Sequence, residues 1–121
     1  MHIRRLSEAT VYERNGLRSH VLLDAGDFSS ERLVVTWVEV PAGAGQRSHV
    51  HPLSEQVYVI VRGTGTMTVG DQQAEVREGD LVLVPPETPH AIANTGGQTL
   101  IYTSATAPPQ SMAELYRTHL S

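Results

Sequence analysis

Residues 48–63 read SHVHPLSEQVYVIVRG. The second half, QVYVIVRG (56–63), is β-branched and aromatic, which suits a pleated, half-buried strand. The first half carries His49 and His51, two residues apart and stopped by Pro52. In an extended chain residues i and i+2 share a face, so both imidazoles can grip one ion. Two surface histidines look the same in isolation. The rest of the chain has to decide between the two readings.

Upstream, SHVLLD (19–24) and LVVTWVEV (33–40) read as strands, and PAGAGQ (41–46) as a turn. Downstream, TGTMTVGDQQAEVREGD (64–80) alternates on both sides of Gly70-Asp71 and predicts a hairpin. LVLVPP (81–86) is a short buried strand ended by prolines, and HAIANTGGQTLIYTSA (90–105) predicts a second hairpin turning at Gly96-Gly97. Short strands with turns every ~8–12 residues predict an all-β sandwich or barrel. Its core spans about 19–105, inside a single domain covering 1–121. After the breaker APPQ (107–110), the tail predicts a short C-terminal helix over about 111–120. Ser111 and Glu114 are spaced as a capping box, and Met112, Leu115 and Tyr116 share a face.

Composition narrows the chemistry. The 121 residues include no cysteine, which excludes disulfides, thiolate nucleophiles, iron–sulfur clusters and cysteine zinc sites. All nine basic residues are arginine, so Schiff-base and pyridoxal chemistry are excluded too. Those arginines are scattered and the net charge is −4, which predicts no nucleic-acid partner. MHIRRLSEATVYERNG at the start has no apolar run, and no stretch approaches the ~18 apolar residues of a membrane span. The expectation is a soluble, cytoplasmic protein with no membrane partner.

Of the six histidines, His2 and His119 lie near the termini. His20 sits on an apolar strand and reads as a satisfied core or edge residue. His90 differs: in VPPETPHAIAN it follows a proline-rich turn and opens a strand, where a third ligand from another part of a barrel can enter. Trp37 reads as a core residue. Gly63, Gly65 and Gly70 alternate with β residues and precede no helix, so they are not a phosphate loop.

The spacing of these residues resembles the cupins. GAGQRSHVHPLSEQVYVIVRG is similar to their first motif: Gly, five residues, His-x-His, three or four residues, Glu, six residues, Gly. Gly43, His49 and His51 match it. GDLVLVPPETPHAIAN is similar to the second: Gly, five residues, Pro-x-Gly, two residues, His, three residues, Asn. Gly79, Pro85, His90 and Asn94 match, while Glu87 stands where the family usually has glycine. The resemblance implies a double-stranded β-helix, or jelly roll, and a homodimer. It also implies one divalent ion in the lumen, held by His49, His51, His90 and a fourth ligand.

That fourth ligand is the second departure. Six residues back from Gly63 is Gln56, not Glu55, and Gln56 shares strand parity with Tyr58 and Ile60. Gln56 is therefore favoured, with Glu55 the alternative. Tyr58 is a candidate pocket-lining and catalytic residue; Glu55 and Glu87 are candidates by position alone. Zinc, nickel, manganese and iron all suit such a set. Three imidazoles and an amide are neutral, so the ion keeps its full charge and favours small anionic oxygen chelators. The expected function is a metal-dependent isomerase, cyclase, lyase or dioxygenase acting on such a ligand. The alternative is a non-catalytic module that binds a small molecule such as a sugar or metabolite.

Overall fold

The computed structural model describes residues 1–109. These residues form nine strands: β1 (Thr10–Arg14), β2 (Leu17–Leu23), β3 (Val34–Val40), β4 (Glu55–Arg62), β5 (Thr64–Val69), β6 (Gln72–Arg77), β7 (Leu81–Val84), β8 (His90–Ala93) and β9 (Leu100–Ala107). They make two antiparallel sheets. The larger runs β1-β2-β3-β9-β4-β7 and the smaller β6-β5-β8. The sheets face each other across one core, giving the all-β double-stranded β-helix expected from the strand and turn pattern.

Alternation builds that core. Along β3 buried and half-buried residues alternate, and β9 repeats the pattern beside it. Period-two burial sends Val38, Val40, Leu100 and Tyr102 inward, where they meet Tyr58 and Ile60 of β4 and Met67 and Ile92 of the smaller sheet. The chain passes from one sheet to the other at Gly63, whose φ is +85°. A Cβ there would come within 2.9 Å of the Thr99 carbonyl oxygen, so only glycine fits.

Residues 43–49 extend the smaller sheet beyond β8. Gln46 donates its N–H to the Ile92 carbonyl (2.9 Å), and His49 and His90 exchange backbone bonds of 3.1 and 2.9 Å. Gly45 lies opposite Ala93 and His49 opposite His90, so five residues (45–49) on one side face four (90–93) on the other. This one-residue bulge falls just before the two histidines and re-aims them.

Several expectations need correction. Residues 90–105 are not a hairpin: β8 pairs with β5, whereas β9 pairs with β3 and β4 in the other sheet. The Gly96-Gly97 stretch carries the chain across the barrel. Trp37 faces outward, half-buried on the back of β3, because its inward neighbours in the alternation are Thr36 and Val38. β1 was not anticipated, although Asn15-Gly16 joins it to β2 with both residues at positive φ (53° and 84°), the signature of a tight hairpin turn. His20 lies on the outer face of β2, with Nε2 3.0 Å from Glu39 Oε1. The helix expected at 111–120 lies outside the described residues. Among the described residues no helix is long and apolar enough to cross a membrane.

Candidate metal centre

The two HxH imidazoles and His90 converge. His49, His51 and His90 are all buried, and each offers a ring nitrogen within 4.8 Å of those of the other two. Ring centroids are 4.2 Å apart for His49–His90 and 5.2 Å for both pairs that involve His51. Among the described residues this is the only such group of metal-ligating side chains.

Backbone carbonyls set the tautomers. His49 Nδ1 lies 2.9 Å from the Arg47 carbonyl oxygen, and His90 Nδ1 lies 2.9 Å from that of Thr88. A carbonyl only accepts, so each Nδ1 carries the proton and each Nε2 keeps a lone pair. Burial reinforces the neutral form. It lowers the His49 pKa from 6.5 to about 4, with the hydrogen bond to Arg47 opposing and the neighbouring histidines adding to the effect. His90 is lowered in the same way, burial first, opposed by the bond to Thr88 and aided by His51. At neutral pH both rings present unprotonated nitrogens, the state a metal needs.

Gln56 is on the inner face of β4, and its Oε1 lies 3.1 Å from His90 Nε2. Glu55 faces outward and is exposed. With Nδ1 protonated, His90 Nε2 and an amide oxygen are both acceptors, and a direct hydrogen bond would need the amide turned to present N–H. A cation between them satisfies both lone pairs as they stand. Two ligands at adjacent corners of an octahedron, each about 2.1–2.2 Å from an ion, are roughly 3 Å apart. The residues present therefore fit a divalent ion.

Tyr58 packs its ring edge-on against His90, with centroids 6.1 Å apart, and stacks on Tyr102 at 4.7 Å. Its hydroxyl donates to Gln46 Oε1 (3.1 Å), which also accepts the Ile92 N–H, while Gln46 Nε2 donates to the Tyr102 hydroxyl (2.9 Å). The Gln46 side chain thus satisfies three polar groups, the Tyr58 and Tyr102 hydroxyls and the Ile92 N–H, in one network. Asn94 donates to the carbonyls of Val40 and Gln98 and accepts from the Gly96 N–H. It holds the crossing loop and is structural. Glu87 is exposed at φ +60°, and its N–H donates to the His51 carbonyl (2.9 Å), tying the two ligand-bearing loops together.

Sequence reasoning passed over Gln46, read only as part of a turn, and the inward hydroxyls Thr36, Ser104 and Thr106, all buried. The signal was available. In LVVTWVEV and LIYTSATA these three hold the same parity as the core valine, leucine and tyrosine.

Comparison with known proteins agrees with this geometry. Residues 36–106 match the family model of the cupin domain. An uncharacterized protein of Methanocaldococcus jannaschii is 40% identical over 72 residues, which is 60% of this chain and 58% of that protein. The matched stretch thus spans less than two thirds of that relative's length. Two solved structures share the fold: a predicted oxalate decarboxylase from Thermotoga maritima (TM-score 0.79, 20% identity, 88% of this chain and 98% of the other) and an RmlC-like cupin from Shewanella frigidimarina (TM-score 0.78, 20% identity, 91% and 93%). With the family model covering more than half of its length and both histidine motifs meeting at one point of a double-stranded β-helix, this chain belongs to the cupin family.

Proposed function

We propose that this cupin is a metal-dependent enzyme that holds one divalent ion on His49, His51, His90 and Gln56 and acts on a small anionic oxygen chelator. The observation that carries the reading is the convergence of lone pairs: Gln56 Oε1 sits 3.1 Å from a His90 Nε2 whose other nitrogen is committed to Thr88. When bound, the ion supplies Lewis acidity that polarises a carbonyl or steadies an enolate. The chain does the rest. The Arg47 and Thr88 carbonyls hold two imidazoles in the ligating tautomer. Gln56 adds a neutral oxygen that leaves the ion's charge intact for the substrate. Tyr58, its hydroxyl held by Gln46, positions the His90 ring instead of transferring protons. Zinc, nickel, manganese and iron remain the candidate metals. Exposed Leu81 and Leu83 on edge strand β7 support the accompanying reading of a homodimer, which light scattering tests.

The commitment of the Tyr58 hydroxyl to Gln46 favours a second reading, a non-catalytic binding module. Elemental analysis of natively purified protein tests the ion, and metal-free protein would sink both readings as stated. Incubating loaded protein with chelating 2-oxoacids then separates them. Proton exchange or turnover supports the enzyme, and recovery of unchanged acid from a tight complex supports the module.

A further inference from the structure

The larger sheet presents a strip of hydroxyls to the lumen beside the histidines. Thr106 on β9 is the cross-strand partner of Gln56, and Ser104 that of Tyr58. Thr36 on β3 pairs with Ser104, and their hydroxyl oxygens are 2.7 Å apart. All three are more than nine-tenths buried. The Thr36–Ser104 bond uses one of its two O–H groups, and Thr106 makes no side-chain hydrogen bond to a described residue. The strip therefore keeps spare donor and acceptor capacity for a polar group brought beside Gln56. Directly opposed side chains on neighbouring strands have Cβ atoms about 5 Å apart, so the strip begins one side chain from the Gln56 amide.

The same wall is poor in charge. The inward residues of β2, β3, β9, β4 and β7 include no charged side chain. Arg14 shares the inner side, but it lies on edge strand β1 opposite Leu17. That is the level of Val40, six residues along the strands from the Val34–Thr106–Gln56 row, or about 20 Å. An ion held by neutral ligands answers negative charge placed on it, whereas a second negative charge farther along the wall meets no cation. In a poorly solvated site that charge is unfavourable for the same reason as a buried unpaired ion.

We infer that Thr36, Ser104 and Thr106 form a recognition wall for a chelating acid whose charge is confined to the chelating end and whose tail is uncharged and hydroxylated. This rests on the metal centre proposed above and adds the substrate class. Phosphorylated acids and acids with a remote carboxylate are rejected.

Three related acids test it on the full chain loaded with cobalt(II). Glycerate has a chelating carboxylate and 2-hydroxyl with a hydroxyl tail, lactate replaces that tail with a methyl, and 3-phosphoglycerate charges it. Calorimetry is expected to show glycerate binding several-fold tighter than lactate and at least ten-fold tighter than 3-phosphoglycerate. Thr106→Val and Ser104→Ala should erase the preference for glycerate over lactate, with cobalt content and lactate affinity held within two-fold. Unchanged preference in both variants overturns the wall, and so does 3-phosphoglycerate binding as tightly as glycerate. Failure of the wild-type chain to take up cobalt is seen before any acid is added; it overturns the metal centre and the wall together.

Discussion

His49 and His90 exchange both of their backbone hydrogen bonds, 3.1 and 2.9 Å, across the bulge in the smaller sheet, and their rings lie 4.2 Å apart. Two candidate ligands from distant parts of the sequence are thus fixed by main-chain bonds and not by the ion. His51 is set differently. It follows the bulge in a loop held to the second motif by the Glu87 N–H. The centre is half-formed on rigid backbone and half dependent on a loop-to-loop tie.

Removing one imidazole should therefore empty the site without unfolding the barrel. His51→Ala is expected to weaken divalent metal binding at least ~100-fold, beyond the 10–100-fold typical of losing an outer-shell partner. Elemental analysis after desalting reads this directly. Stoichiometric metal in the variant would show that His51 is not a ligand.

The metal-free protein should be acid-sensitive in a defined window. Burial depresses the His49 pKa in the folded state, so the unfolded chain takes up a proton at higher pH than the native one. Stability is fully present above 6.5 and is lost as pH falls toward about 4. A depression from 6.5 to about 4 corresponds to a loss on the order of 3 kcal/mol, to which the lowered His90 adds in the same direction. Urea melts at pH 7 and pH 4.5 measure it. His49→Gln should flatten the profile, and an equally steep loss in that variant would place the acid sensitivity elsewhere.

Much of this was legible because side-chain parity in a strand is strict. Counting by twos put Gln56 on one face with Tyr58 and Ile60 and Glu55 on the other, and in the structure Tyr58 and Ile60 are buried while Glu55 is exposed. Trp37 was misplaced where aromatic size was followed against the same rule, since the alternation around Thr36 and Val38 sends it outward. Pairing partners are non-local, so nothing in HAIANTGGQTLIYTSA distinguishes a hairpin from two strands of opposite sheets. β1 has no apolar run to mark it, being the mostly exposed edge strand TVYER, although Asn15-Gly16 is a strong local turn signal. The bulge before His49 has no evident sequence mark.

Glu87 sits at φ +60°, where the second motif usually has glycine, and left-handed backbone costs a non-glycine residue roughly 1–2 kcal/mol. Part of any gain from glycine is offset by its greater freedom in the unfolded chain. Glu87→Gly is expected to stabilise the protein by about 0.5–1 kcal/mol, a rise of roughly 3 °C in Tm. A calorimetric scan showing a lower Tm would mean that the glutamate side chain makes a stabilising contact that outweighs the strain.

The neutral amide at position 56 has the sharpest consequence. Gln56 Oε1 faces His90 Nε2 at 3.1 Å, on the inner side of a wall whose neighbouring strand residues carry no charge. Gln56→Glu is nearly isosteric and replaces an amide oxygen with a carboxylate. The ion is then held at least as tightly, because a charged oxygen is the stronger ligand. The ligand at the open positions fares differently. One negative charge added within about 4 Å, at an effective dielectric near 20, opposes an incoming anion by up to ~4 kcal/mol. With partial solvent screening, the expected outcome is a ten- to hundred-fold loss of glycerate affinity at unchanged cobalt content. Glu55→Gln, on the outer face, should alter neither quantity by more than about two-fold. Reversal of that pattern, with Glu55 controlling metal content and Gln56 tolerant of substitution, would refute the neutral four-ligand centre.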